Sequence, residues 1–146
     1  MVRPEEQIFE KAVNELWKYA KSHDMTLTVD GFSIKITKEI TKEVESCLSE
    51  IIKNESKNVE KVCRRSCLVK HGEPTEWQEG CLDVCFEFWK MTERASCAER
   101  ISARLLEHLY AVETLLKTYG LWYHSYWYIF IDKAVLFIME FKPPPL

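Results

Sequence analysis

Four cysteines constrain this chain more than anything else in it. They form two pairs of one spacing, Cys63-x-x-x-Cys67 and Cys81-x-x-x-Cys85. The outer pair of positions, 63 and 85, and the inner pair, 67 and 81, are both symmetric about residue 74. On a helix, positions i and i+4 lie one above the other on the same face. Two antiparallel helices joined by a turn near 71–75 therefore bring the four sulfurs together as two rungs. The spacing predicts disulfides Cys63–Cys85 and Cys67–Cys81, provided the helices approach within disulfide reach.

The remaining two cysteines do not share that face. At 100° per residue Cys47 lies about 160° round from Cys63, and Cys97 about 160° round from Cys81. In straight helices neither joins the rungs, and the expectation is two small buried apolar residues. A break at the polar stretch 53–58 would rotate Cys47 and permit a third bridge.

A metal is the rival use of the same sulfurs. Cys63, Cys67, Cys81 and Cys85 are a ligand set for zinc or an iron–sulfur cluster, with His71 one further i+4 step along. Regular helices adapt to metal geometry less readily than the turns that usually carry such ligands, so disulfides are the preferred reading and no cofactor is implied. Thiol–redox catalysis commonly rests on a Cys-x-x-Cys at a helix start. Here the spacing is one residue longer and lies within helices. The segment resembles the twin CX3C helical hairpins of the small Tim chaperones of the mitochondrial intermembrane space. The match covers Cys63 to Cys85 only, and a helix-loop-helix plan has no counterpart for the β-hairpins read below. The resemblance therefore implies the clamp and carries over no function.

Around the clamp the periodicity reads α-β-β-α-α-β-β in a single domain over 1–146, an α+β fold. An N-terminal helix occupies 1–24, with Pro4 in a first turn that tolerates it and Ile8, Ala12, Leu16 and Tyr19 on one face. A β-hairpin follows over 25–37. Met25, Leu27 and Val29 alternate with polar residues, then Asp30-Gly31, then Phe32, Ile34 and Ile36 alternate again. The helical hairpin fills 38–119. Gly72 and Pro74 break it, Thr75 with Gln78 forms a capping box, and Gly120 closes it. Its second arm would be on the order of 60 Å if unbroken, long for this chain, which leaves room for a kink. Residues 121–142 form a second β-hairpin with a turn at Asp132-Lys133, the two hairpins making one antiparallel sheet. Pro143 to Pro145 begin a short extended tail over 143–146.

The second hairpin is apolar on both faces, as central strands or a strand meeting a partner are. Read instead as a membrane span it would have to hide Asp132 and Lys133 in lipid, so no span is expected. Trp122, Tyr126, Trp127, Tyr128 and Phe130 are the candidate interface, for a homodimer or another protein. Lys57, Lys61, Arg64, Arg65 and Lys70 form the basic cluster best suited to phosphate, and their ordinary use is a solvated face paired with nearby glutamates. A net charge of −3 argues against broad nucleic-acid binding.

Glycines 31, 72, 80 and 120 are not spaced for a phosphate loop, and no Gly-x-Ser-x-Gly or His-Glu-x-x-His occurs. Catalysis is thus not indicated. No secretory leader is legible behind Met1. With 19 Glu against 4 Asp, and only 2 Gln and 3 Asn, the composition leans as hyperthermophile proteins do. Six cysteines fit a cytoplasm of that kind, where intracellular disulfides are common. The expectation is a small non-enzymatic accessory protein of a hyperthermophilic archaeon, or of its virus or plasmid, acting by self-association or partner binding. Metal or thiol–redox chemistry at the CX3C pairs is the alternative, and nucleic-acid binding the next.

Overall fold

Helix and strand boundaries follow the hydrophobic periodicity along the chain. The computed structural model describes residues 4–68, 72, 74–130 and 135–145. Its elements are α1 (Pro4–Ser22), β1 (Thr26–Asp30), β2 (Ser33–Glu39), α2 (Thr41–Ser66), α3 (Thr75–Arg104), α4 (Leu106–Thr118), β3 (His124–Phe130) and β4 (Leu136–Lys142). They fall into two compact units, one of Met1–Thr41 with Ile101–Leu146 and one of Lys42–Arg100. The proposed Asp132-Lys133 turn, His71 and Lys70 lie outside the described residues.

The first unit is a four-stranded antiparallel sheet in the order β1-β2-β4-β3, with α1 and α4. The two hairpins thus join through β2 and β4, which leaves β1 and β3 as edges. The β1–β2 turn is shifted by one position from the Asp-Gly pair. Asp30 pairs with Ser33, so Asp30 ends the strand, and Gly31 (φ +59°) takes the first central position, where primed turns need a positive φ. Strand β2 also runs to Glu39, paired with Leu136, so α2 begins at Thr41 rather than near Lys38.

Side chains alternate as the period of two requires. Leu27, Ile34, Ile36, Phe137, Met139 and Phe141 are buried on one face of the sheet. Ala12, Leu16 and Ala20 of α1 and Val112 and Leu116 of α4 are buried in the same unit. Across the sheet one row runs Leu27, Ile36, Met139, Trp127.

The long helical arm is interrupted at Leu105. The Leu105 N–H donates to Ser102 O at 2.9 Å and the His108 N–H donates to Leu105 O at 3.0 Å, a tightening to i→i+3 that separates α3 from α4. Helix α4 ends as expected at Gly120 (φ +74°). Leu121 N–H bonds Leu116 O at 3.0 Å and Gly120 N–H bonds Lys117 O at 2.9 Å, which is the Schellman arrangement.

The second unit is the clamped hairpin. Cys63–Cys85 and Cys67–Cys81 are bridged as the spacing predicts, with Cα separations of 5.9 and 5.7 Å. A third bridge, Cys47–Cys97, corrects the expectation that these two stay unpaired. It forms without a break at 53–58, because α2 is continuous from Thr41 to Ser66. The straight-helix assumption was at fault. Between the Cys63–Cys85 and Cys47–Cys97 bridges α2 runs from 47 to 63, whereas α3 runs only from 85 to 97. One helix therefore takes a path longer by about one turn than its neighbour, which two straight parallel rods cannot do.

Candidate functional site

The aromatic segment is aimed by two features of the first unit. The Schellman turn at Gly120 reverses the chain out of α4, and Trp122 just beyond it is 82% exposed. Ser125 Oγ then donates to Glu113 Oε1, tying the start of β3 to α4. From there β3 runs as an edge strand, hydrogen-bonded to β4 on one side only.

The pleat divides the candidate interface residues. Tyr126, Tyr128 and Phe130 share a face with their partners Glu140, Ile138 and Leu136. Trp127 points to the core face, its ring 5.9 Å from that of Phe137. All four remain 44–52% exposed. Trp122 precedes the strand and belongs to neither face. Strand β3 reads His-Ser-Tyr-Trp-Tyr-Ile-Phe, with no Asp, Glu, Lys, Arg or Pro.

Edge strands in native proteins are usually guarded by a charge, a proline or a bulge that stops another strand from pairing. The opposite edge, β1, is Thr-Leu-Thr-Val-Asp, short and polar on its outer face. Strand β3 has none of these guards. The apolar-on-both-faces pattern that suggested central strands therefore describes β4, which is central, and β3, which is not.

Next to β3 lies an open groove of about 430 Å³ lined by Glu113, Leu116, Lys117, Trp122 and Tyr123. Burial pushes the Tyr123 hydroxyl up to about 12, so it stays a neutral donor.

A polar cluster that the sequence does not announce joins α1 to α4. The Tyr19 hydroxyl lies 2.6 Å from His108 Nδ1. His23 stacks on Tyr19 at 4.1 Å between centroids, edge-on to His108 at 4.9 Å. His23 Nδ1 bonds Tyr19 O at 2.8 Å, and Lys38 Nζ donates to His23 O at 2.9 Å. Partial burial, then the nearby His23 and Lys38, holds His108 below its ordinary value of 6.5. In the tautomer protonated at Nε2, the neutral imidazole accepts a hydrogen bond from the Tyr19 hydroxyl at Nδ1. Burial, then Glu107, raises Tyr19 above its ordinary value. Periodicity places Tyr19 and His108 on separate helices, and no local pattern connects positions 89 residues apart.

The cysteines proposed as metal ligands are all disulfide-bonded, as are Cys47 and Cys97. Among the described residues no three His, Cys, Asp or Glu side chains group to hold a metal ion. Lys57, Lys61, Arg64 and Arg65 are exposed and fall on one face of α2, where Glu60 holds Arg64 at 2.9 Å. The 121–141 stretch weighed as a membrane span contains β3 and most of β4, and no helix of the described residues is long and apolar enough to cross a membrane. No family model, curated protein or solved structure matches this chain.

Proposed function

We propose that this protein works by binding rather than by catalysis, and that it self-associates through the open edge of β3. The observation that carries the reading is a seven-residue edge strand with four half-exposed aromatics and no charged residue. A second copy pairing antiparallel about Trp127 would set Tyr126 opposite Tyr128 and His124 opposite Phe130. Such pairs attract across strands, and no like charges are opposed. The contact is isologous, so it closes as a dimer with a continuous eight-stranded sheet.

The area is adequate. The exposed fractions of Trp122, Tyr126, Trp127, Tyr128 and Phe130 amount to on the order of 500 Å² of aromatic surface per copy. Backbone and flanking atoms bring this toward the roughly 800 Å² per partner of an ordinary stable interface.

The working environment is the cytoplasm of a hyperthermophilic archaeon, or of a virus or plasmid carried in one. The amide-poor composition and three disulfides in one small chain support this.

Sedimentation of the wild type against Tyr126→Lys with Tyr128→Lys tests the binding surface. Both side chains are exposed in the single chain, so the variant keeps its circular dichroism and, at concentrations too low for association, its melting temperature. The expected result is loss of one association step. A wild type that stays monomeric at about 1 mM, where even weak contacts populate, would refute the reading.

A further inference from the structure

The second unit carries an apolar surface that the clamp does not use. Trp77, Val84, Phe88 and Met91 of α3 are 54–71% exposed. At 100° per residue they fall within an arc of about 60°, so they form one stripe along the helix. The exposed area, on the order of 500 Å², lies at the upper end of the largest patch an ordinary monomer shows. The stripe is presented on a rigid support, because Cys81 and Cys85 bolt this part of α3 to α2. Little conformational freedom is left to lose on docking.

The flank of the stripe says what docks there. Asp83, Glu87, Lys90 and Arg94 lie on one side of it, again within about 60°. The two acids come first and the two bases second. The two outer charges and the two inner charges share one centre, between Phe88 and Trp89. In an antiparallel helix pair the same flank of each helix meets the other. We infer that α3 binds α3 of a second copy, antiparallel, with Phe88 packed near the two-fold axis. Asp83 then faces Arg94 of the second copy, and Glu87 faces its Lys90. A parallel copy would instead set this flank against the opposite, uncharged flank (Gln78, Cys85, Trp89 and Thr92), so only the antiparallel arrangement makes these charge pairs.

In the single chain Lys90 holds Glu87 at 2.8 Å and Arg94 holds Glu45 at 3.0 Å. Both are exposed or half-exposed pairs of small worth, so exchanging them for pairs between copies costs little. The stripe belongs to the unit Lys42–Arg100, and β3 to the other.

The test uses full-length protein carrying Tyr126→Lys and Tyr128→Lys, so that the α3 contact is read alone. In that background one variant adds Lys90→Glu with Arg94→Glu, giving an acidic flank. A second adds Asp83→Lys with Glu87→Lys, giving a basic one. Sedimentation should show the parent associating and each variant weakened at least about tenfold, because four opposite-charge pairs become like-charge pairs. Mixed one to one, the acidic and basic variants should recover association as a heterodimer that weakens with added salt. Circular dichroism and a free-thiol count confirm that each variant keeps its helices and bridges. A parent monomeric at about 1 mM overturns the proposal, and so does an acidic variant that associates as tightly as the parent, or a mixture no larger than its components. Failure of the β3 reading looks different. There, Tyr126→Lys with Tyr128→Lys leaves the wild-type assembly unchanged, while the charge exchange still reports on α3.

Discussion

Removing the Cys47–Cys97 bridge should be the costliest disulfide deletion, and its size follows from the topology. Taken alone the bridge closes 50 residues, for which chain entropy implies about 4 kcal/mol. The bridges at Cys63–Cys85 and Cys67–Cys81 have already closed the inner part. What Cys47–Cys97 adds is a loop made of positions 47–63 of α2 and 85–97 of α3. A loop of roughly 28 residues corresponds to about 3.5 kcal/mol at 25 °C. Cys67–Cys81 lies inside a closed loop and adds only about eight residues of chain between itself and Cys63–Cys85, or roughly 2.5 kcal/mol. Cys47→Ala with Cys97→Ala should therefore cost more than Cys67→Ala with Cys81→Ala. At about 2.1 cal/mol/K per residue of unfolding entropy, the outer deletion lowers Tm by roughly 11 °C if all 146 residues melt together. It lowers Tm by more than twice that if Lys42–Arg100 melts separately. Calorimetry without reductant measures the shift. A thiol assay on denatured protein should find no free thiols in the wild type or in either variant, and six in the wild type after reduction. Two free thiols in the wild type, or a loss below about 1 kcal/mol on deleting Cys47 and Cys97, would refute the account.

Three other outcomes are accessible with the same material. Ser102 is fully buried and its hydroxyl has no hydrogen-bond partner among the described residues, so Ser102→Ala should raise stability by about 1 kcal/mol in urea unfolding. A loss there would mean the hydroxyl is satisfied. His108 is held below its ordinary value of 6.5, so the unfolded state takes up its proton first. Stability from this group is fully present above about 6.5 and declines as pH falls toward the folded value. Urea midpoints between pH 7.5 and 5 should fall less steeply for His108→Gln than for the wild type, and equal slopes would remove His108 as the cause. Tyr126→Lys with Tyr128→Lys should reduce the assembly by one step while leaving Tm within a few degrees of the wild type at concentrations where neither associates, since surface changes rarely exceed about 0.5 kcal/mol.

Much of the fold was legible because its signals are local. Alternation over 25–37 determines a hairpin and which of its faces is buried, since a one-residue slip would reverse every side chain. Gly120 ends a helix because the positive φ it adopts suits no other residue as well. The inner cysteine rungs were readable because the members of each pair are a single i+4 step apart, and helical phase carries little error over one turn. The same arithmetic fails over the longer runs 47–63 and 85–97. Small departures from straight geometry accumulate along the helices, and only the packed pair decides that Cys47 meets Cys97.

The candidate site divides along the same line. Its composition stands in the sequence, where Trp122 to Phe130 is plainly an aromatic segment. That it forms an edge does not. Strands β3 and β4 are both rich in apolar residues, and nothing local says which one receives β2 as a neighbour. Sheet order is set by long-range pairing, here Ile34 with Phe141 and Ile36 with Met139. The contact of Tyr19 with His108 is likewise made only when α1 and α4 pack. The sequence by itself determined the order of the elements, the buried face of the first hairpin and two of the bridges, because those depend on spacing within a turn or a pleat. The tertiary structure alone decided which strand is left open and which distant side chains meet, because those depend on how the finished elements pack.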